Sequence, residues 1–281
     1  EMWQHAATRA NVATLRSRGA IVLEPAVGRL TGPDSGPGRL PEPADIEASA
    51  LAVLADPLVG AAMSAQDLAG RTVVISAGGT REQLDPVRFI GNSSSGLMGV
   101  ALARAAVQRG AQVTLVAANL ATEPPAGATV VEVGSTAELA AAMDAHSPSA
   151  DLVVMAAAPA DYTVLEPSPV KLKKSGDAGI HLDLVQTTDV LAGLASRRPG
   201  GQVLVGFAAE TAADEQELLS LGVQKLARKG CQLLVLNNVS GGAVFGAEEN
   251  QVTIIDAGGQ VAAASGSKTT VAHAILSASE A

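Results

Sequence analysis

From Arg71 to the end of the chain, short apolar runs alternate with longer amphipathic stretches. That alternation restricts the fold to βα units wound around a mainly parallel sheet. The apolar runs place strands at Thr72–Ser76, Gln112–Val116, Thr129–Val133, Leu152–Ala156, Val203–Gly206, Leu233–Leu236 and Val252–Asp256. Helices are expected between them, at Leu97–Gln108, Thr136–Asp144, Asp189–Ser196, Ala212–Lys229 and Lys268–Ser277. Ser135 with Glu138, and Thr211 with Asp214, read as capping boxes that set two of the helix starts. Aromatic residues make up only 2% of a chain that is 47% apolar, so Ala, Val, Leu and Ile must build the core through close helix-on-sheet packing. The expected fold class is α/β: a Rossmann-like, doubly wound, mainly parallel sheet that binds ligands beyond the carboxyl ends of its strands.

Residues 1–69 read differently. "EPAVGRLTGPDSGPGRLPEPADIEAS" is dense in Pro and Gly and has almost no apolar period, and only Thr8–Arg18 and Asp45–Leu54 read as helices. The expected division is a non-globular N-terminal remnant and linker over 1–69 and one α/β domain over 70–281. The opening "EMWQHAATRANVATLRSRGAIVLEP" reads as the end of something longer.

Nineteen basic residues against 28 acidic ones give a net charge of −9, which argues against a nucleic-acid surface. Any anionic ligand must then be met by a few local cations. No apolar run approaches the ~20 residues of a membrane span. The single cysteine, Cys231, excludes an internal disulfide and reads as a buried apolar residue. A soluble, cytoplasmic protein is expected, with no nucleic-acid or membrane partner. The four histidines have no metal-ligand spacing and none pairs recognisably with a nucleophile, so neither zinc nor a covalent hydrolase is predicted.

The densest chemistry lies in residues 75–99, "ISAGGTREQLDPVRFIGNSSSGLMG". Gly78 and Gly79 allow a ligand to approach the backbone, or simply make a tight turn. Asn92, Ser93, Ser94, Ser95 and Gly96 precede a helix start, where free N–H groups suit an oxyanion or phosphate; capping is the plainer reading. Downstream, "MAAAPADYTVLEPSPVKLKKSG" passes Asp161 and ends on Lys171, Lys173 and Lys174, either a solvated loop or an arm that carries ammonium groups to a polyphosphate. Lys225 and Lys229 share a helix face near a C-terminus, where the helix dipole alone could explain them. Phe207 closes an apolar strand and could pack in the core or lie against a nucleobase. Together these residues suggest a metal–nucleotide site, with Mg²⁺ riding on the phosphates rather than held by a protein cage. An NAD(P)-dependent oxidoreductase fits less well. There is no G-x-G-x-x-G, no acid closes "QVTLVAANL", and Tyr162 has Glu166, not lysine, four residues on.

In this order, "AGGTREQLDPVRFIGNSSSGLMG", "AAAPADYTVLEPSPVKLKK", "TTDVL", "VGFAAET" and "LNNVS" closely resemble phosphopantothenate–cysteine ligase, a coenzyme A pathway enzyme, over about residues 70–281. The opening segment resembles the tail of the flavin-dependent phosphopantothenoylcysteine decarboxylase that bacteria commonly fuse ahead of the ligase. The resemblance therefore implies a truncated decarboxylase tail, with the rest of that domain in a bifunctional parent polypeptide. It also implies a two-step reaction of 4′-phosphopantothenate, CTP and L-cysteine through an acyl-cytidylate. Lys171 would contact the nucleotide phosphates and Asn92 would orient the acyl-nucleotide. Ala156, Ala157, Asp161, Thr188, Asp189, Val190, Leu191, Phe207, Lys225 and Lys229 would form the CTP site.

The family's ligases are homodimers in which an arm of one subunit reaches the other's site. "REQLDPVRFIG" is a plausible arm, with Arg88 expected close to the active site. Two positions depart from the pattern. Leu97 stands where relatives often have lysine, so a cation near that helix start is not guaranteed. Gly32 aligns with the decarboxylase's active cysteine, and the upstream histidine and flavin-binding parts are absent from this sequence, so no flavin and no decarboxylation are expected of this chain. A non-catalytic nucleotide-binding or assembly module is the other alternative.

Overall fold

The computed structural model describes residues 2–32, 34–173, 179–239 and 249–280. The chain begins with α1 (Ala6–Ser17), a hairpin of β1 (Ala26–Arg29) and β2 (Ser35–Arg39), α2 (Pro43–Ala55) and α3 (Pro57–Ala65). It continues through β3 (Thr72–Gly78), β4 (Arg81–Gln83), β5 (Phe89–Gly91), α4 (Leu97–Gln108), β6 (Gln112–Ala118), β7 (Thr129–Val133), α5 (Thr136–His146) and β8 (Leu152–Met155). The short pair β9 (Tyr162–Val164) and β10 (Leu184–Gln186) follows, then α6 (Val190–Arg197), β11 (Val203–Glu210), α7 (Glu215–Lys229) and β12 (Leu233–Asn238). β13 (Glu249–Asp256), β14 (Gly259–Ser267) and α8 (Lys268–Ser279) complete the described chain.

The central sheet has eight strands in the order β14-β13-β12-β11-β8-β3-β6-β7. β12 through β7 run parallel, while β13 and β14 pair antiparallel at one edge. The chain winds outward from β3 through β6 to β7, then returns to β8 on the other side of β3 and winds the opposite way. β3 and β8 therefore flank the switch point, where open sheets of this kind leave a crevice for ligands. The expected doubly wound, mainly parallel α/β fold is what the chain adopts.

Small side chains set the layer spacing. α4, "LMGVALARAAVQ", buries Gly99, Val100, Ala101, Leu102, Ala103, Ala105 and Ala106, and shares a core with α8 on one face of the sheet. α5, α6 and α7 cover the other face through Leu139, Met143, Leu194, Leu218 and Leu226. A Cβ at Gly99 would sit 2.4 Å from the Ala77 Cβ, so only glycine lets the first turn of α4 lie this close to β3.

The Ser135–Glu138 capping box forms as expected. The second does not: α7 starts at Glu215, not Ala212, and its N-cap is Asp214. The Asp214 carboxylate accepts from Glu217 N–H at 2.8 Å, and Glu217 reaches back to Ala213 N–H at 2.7 Å. A charged acceptor at the positive helix end outcompetes the Thr211 hydroxyl.

Residues ahead of β3 contribute a small cluster of their own, Ala52, Val59 and Met63, with Ile21, Leu23 and Val53 against it. The two anticipated helices are present as α1 and α2; the β1–β2 hairpin and α3 were not anticipated. The segment is tied to α4 by Arg104–Asp45 at 2.9 Å, by Gln108 Nε2 to Ser49 Oγ at 2.7 Å, and by buried Arg109 pairing with Asp67 at 2.6 Å. Beside that pair, His273 of α8 is buried with neither ring nitrogen hydrogen-bonded among the described residues.

Burial first, and the Arg109 charge second, push the His273 pKa down to about 4. Between that value and its ordinary value of about 6.5 the unfolded chain binds a proton that the folded chain does not. Stability from this group is therefore complete above pH ~6.5 and lost as pH falls toward 4, by up to about 3 kcal/mol. Denaturant titrations at pH 7 and 4.5 are expected to show a smaller loss for His273→Leu than for the parent chain. Equal losses would remove His273 as the cause.

Candidate functional site

A cleft of about 890 Å³ opens over the carboxyl ends of β8, β11 and β12. Its lining includes residues 92–99, 155–162, 186–191 and 207–209, together with Lys225, Lys229, Asn237, Val239, Asn250 and Lys268. One lip is the start of α4 and α8; the other is the start of α6 with the end of α7.

At the first lip, Gly96 is the N-cap of α4 at φ +80°, and no side chain caps the helix. The first-turn N–H groups and the positive dipole end therefore face an opening lined by Ser93, Ser94 and Ser95. Asn92 donates from Nδ2 to the Pro159 carbonyl at 2.8 Å, joining this loop to the loop after β8. That second loop is fixed from below. Ala157 N–H donates to Ser76 Oγ at 3.1 Å, Ala158 N–H to the Gly78 carbonyl at 2.8 Å, and Ala160 N–H to Thr80 Oγ1 at 2.8 Å. Ala156, Ala157 and Asp161 thus line the cleft on a backbone that the neighbouring strand holds.

At the second lip, Asp189 caps α6 through Ala192 N–H at 3.1 Å and accepts from Lys229 Nζ at 2.6 Å. Burial alone would raise its pKa, but the Lys229 and Ala192 hydrogen bonds and the charges of Lys229 and Arg228 hold it below the usual carboxylate range. Lys225 Nζ lies 2.5 Å from Glu210 Oε1. Lys225 and Lys229 are thus already partnered with carboxylates, so an incoming anion would share them rather than meet bare charges. Thr188 is exposed, while Val190 and Leu191 also pack into the core beneath α6. Phe207 is half-buried and packs against the α4–α8 core while also lining the cleft.

Four expected site residues lie elsewhere. Gly78 and Gly79 are buried beneath the cleft rather than on its wall. A Cβ at Gly78, with φ +88°, would fall 1.9 Å from the Ala118 carbonyl oxygen, and one at Gly79 would fall 3.0 Å from that of Asn92. The glycines let the strand ends and the Asn92 loop close on one another. Lys171 is exposed and outside the lining, as is Arg88, whose guanidinium is engaged by Asp85 and the Leu172 carbonyl. Lys173 is exposed as well; Lys174, and Ser240 of "LNNVS", fall outside the described residues.

The cleft also holds residues that sequence reasoning missed: Gln186, Asn237, Asn250 and Lys268. The antiparallel return of β13 and β14 brings Lys268 back beside α4, and burial pushes its pKa down. Its position at a helix start after an apolar strand was the only available signal. Among the described residues Asp161 and Asp189 are the only carboxylates in the lining, and Asp189 is already engaged. The donor set suits a cation carried on phosphates better than one caged by protein. Cys231 is buried and burial pushes its thiol pKa up, in keeping with packing rather than reactivity.

The sequence profile of the family described as DNA/pantothenate metabolism flavoprotein C-terminal domain matches residues 68–281. The chain is 48% identical over 287 positions to the coenzyme A biosynthesis bifunctional protein CoaBC of Mycobacterium tuberculosis, covering 99% of this chain and 67% of that protein. Its counterpart in Mycolicibacterium smegmatis is 48% identical over 285 positions, covering 98% and 67%. A crystal structure of the C-terminal domain of a coenzyme A biosynthesis bifunctional protein CoaBC matches with a TM-score of 0.61 at 33% identity, over 75% of this chain and 95% of that one.

Proposed function

The chain belongs to the DNA/pantothenate metabolism flavoprotein C-terminal domain family, and from that membership we propose that it is the phosphopantothenate–cysteine ligase of coenzyme A biosynthesis. One observation carries the reading furthest. A single cleft joins an uncapped, serine-lined helix start to a second lip bearing Thr188–Leu191, Phe207, Lys225 and Lys229, with the Ala156–Asp161 backbone between them.

The proposed nucleotide is CTP. It lies along the second lip with its base against Phe207 and its phosphates toward the α4 N-terminus, and Mg²⁺ neutralises part of the phosphate charge when bound. The carboxylate of 4′-phosphopantothenate attacks the α-phosphorus and pyrophosphate leaves, giving the acyl-cytidylate. The amine of L-cysteine then attacks the acyl carbon and CMP leaves, forming the amide. Lys171 stabilises charge building on the phosphates in the first step. Asn92, held by Pro159, presents the acyl-nucleotide to the amine in the second.

We further propose a homodimer in which each subunit delivers Lys171 and Arg88 to its partner's cleft, because both lie outside their own. Val87, Phe89, Tyr162, Leu165, Leu184 and Val185 are exposed around the small β4–β5 and β9–β10 sheets, an apolar surface of the sort that marks an interface. The proposed location is the cytoplasm, alongside a decarboxylase domain in the parent polypeptide. Among the described residues no single helix is long and apolar enough to cross a membrane.

The oxidoreductase alternative is not favoured. β6 leads into Asn119, whose amide is used to tie the Gly79 and Gly134 carbonyls at 3.0 and 2.9 Å, so no acid waits there for a ribose hydroxyl. The test is to mix the protein with Mg²⁺, CTP and 4′-phosphopantothenate, omit cysteine, and measure pyrophosphate and acyl-cytidylate, with ATP in parallel. A near-stoichiometric burst with CTP is expected, turning into steady turnover when cysteine is added. CTP binding without pyrophosphate would favour the binding-module alternative.

A further inference from the structure

Leu172, the residue after Lys171, has the peptide groups on both its sides held by charged side chains from the turn between β4 and β5. Its N–H, on the peptide shared with Lys171, donates to Asp85 Oδ2 at 3.1 Å. Its carbonyl accepts from Arg88 Nη2 at 2.6 Å. The two side chains also bind each other, Arg88 Nε and Nη2 reaching Asp85 Oδ2 at 3.0 and 2.5 Å. The other oxygen of Asp85 shapes the turn itself, since Oδ1 accepts from the Val87 and Arg88 backbone N–H groups at 2.8 and 2.9 Å. Upstream, Ser168 N–H donates to the Leu84 carbonyl at 3.0 Å, so the segment leading to Lys171 is fastened to the same turn at two points.

The side chain of Asp85 is fully buried, whereas that of Arg88 is 42% exposed. Burial would raise the carboxyl pKa. The Val87 N–H, the Arg88 side chain and the Leu172 and Arg88 N–H groups outweigh it and hold the pKa far below the carboxylate range. Asp85 is therefore a fixed anion at all ordinary pH values. Lysine is a mobile charge on a flexible stem, and fixing its backbone limits the volume that its ammonium group searches.

We propose that Asp85 is a positioning residue: acting through Leu172 and Arg88, its carboxylate fixes the point from which Lys171 reaches the nucleotide phosphates. The role given to Lys171 rests on the ligase reading; the clamp itself rests on the hydrogen bonds.

Asp85→Asn separates the clamp from the turn. The amide oxygen can still accept from Val87 and Arg88 N–H, but the amide nitrogen turns donors toward Leu172 N–H and the guanidinium. The kcat for pyrophosphate release is expected to fall on the order of 100-fold, with the KM for cysteine little changed. In a Lys171→Gln background the same substitution is expected to cost almost nothing more, because the group it misplaces is gone. Leu172→Pro deletes the N–H that Asp85 accepts and leaves the Asp85–Arg88 turn intact; it is expected to reproduce the kinetic loss. Hydrogen exchange at the Leu172 amide, measured without substrates, is expected to accelerate in Asp85→Asn. Unchanged exchange, or a full additional loss in the Lys171→Gln background, overturns the proposal. A parent chain that releases no pyrophosphate overturns the ligase reading instead, and the exchange measurement still decides the clamp.

Discussion

Lys171→Gln chains and Asn92→Asp chains, each nearly inactive in steady-state turnover, are expected to recover about a quarter of parental activity when combined in equal amounts as mixed dimers. Random pairing makes about half of the dimers mixed. If each cleft uses its own Asn92 and its partner's Lys171, every mixed dimer has one cleft with both residues intact and one with neither. A cleft that used its own Lys171 would have no intact version in any mixed dimer, and recovery would be nil. The expectation follows from placement. Asn92 lines the cleft, Lys171 does not, and the segment carrying Lys171 adjoins the exposed apolar residues of β4–β5 and β9–β10. Each single variant is expected to lose at least about 100-fold, the scale of removing one donor from a charge-stabilising site. Pyrophosphate release per subunit measures the recovery, and a mixed dimer isolated by co-expression with two affinity tags is expected to reach about half of parental activity. Recovery near zero would place Lys171 in its own subunit's cleft and remove the main support for an arm that crosses between subunits.

The readable parts of this chain were those with a local cause. The sheet followed from apolar runs long enough to show their pattern, and the α5 start from a capping box whose two members lie within one turn. Cleft lining by Asn92–Gly96 could be anticipated because a parallel sheet puts its loops at the carboxyl ends of strands, and lining by Thr188–Leu191 because the family resemblance implied it. What was not legible depends on distant contacts. β4, β5, β9 and β10 have three residues each, too few to display a two-residue period. Asp85 sat inside a chemistry-rich motif, yet its partner Leu172 is 87 residues away. Lys268 needed an antiparallel hairpin to carry it back to α4. Gly78 and Gly79 were read as letting a ligand approach or as a tight turn, whereas what approaches them here is this protein's own backbone.

The largest loss of stability is expected from Asp67→Ala, at about 3–5 kcal/mol, with Arg109→Leu costing less. Arg109 lies at the C-cap of α4 with its side chain only 2% exposed, whereas that of Asp67 is 36% exposed. Nε and Nη2 of Arg109 donate to Asp67 at 2.8 and 2.6 Å, while Nη1 reaches the His273 carbonyl and Ser277 Oγ, both at 3.2 Å. Removing Asp67 strands a guanidinium that has almost no access to water. Removing Arg109 leaves a carboxylate that can turn toward solvent, so the two deletions are unequal although they break the same pair. Against a typical total of about 5–15 kcal/mol, the first is a large fraction. The double variant is expected to be more stable than Asp67→Ala alone, because it no longer buries an unpaired charge, and a double-mutant cycle from denaturant titrations measures this coupling. His273 supplies an independent check. The Arg109 charge lowers its pKa and the Asp67 charge raises it, so the stability lost between pH 7 and 4.5 should grow in Asp67→Ala and shrink in Arg109→Leu. Opposite shifts in the two variants would show that pair and histidine form one electrostatic unit beneath α4, the helix whose other end opens the cleft.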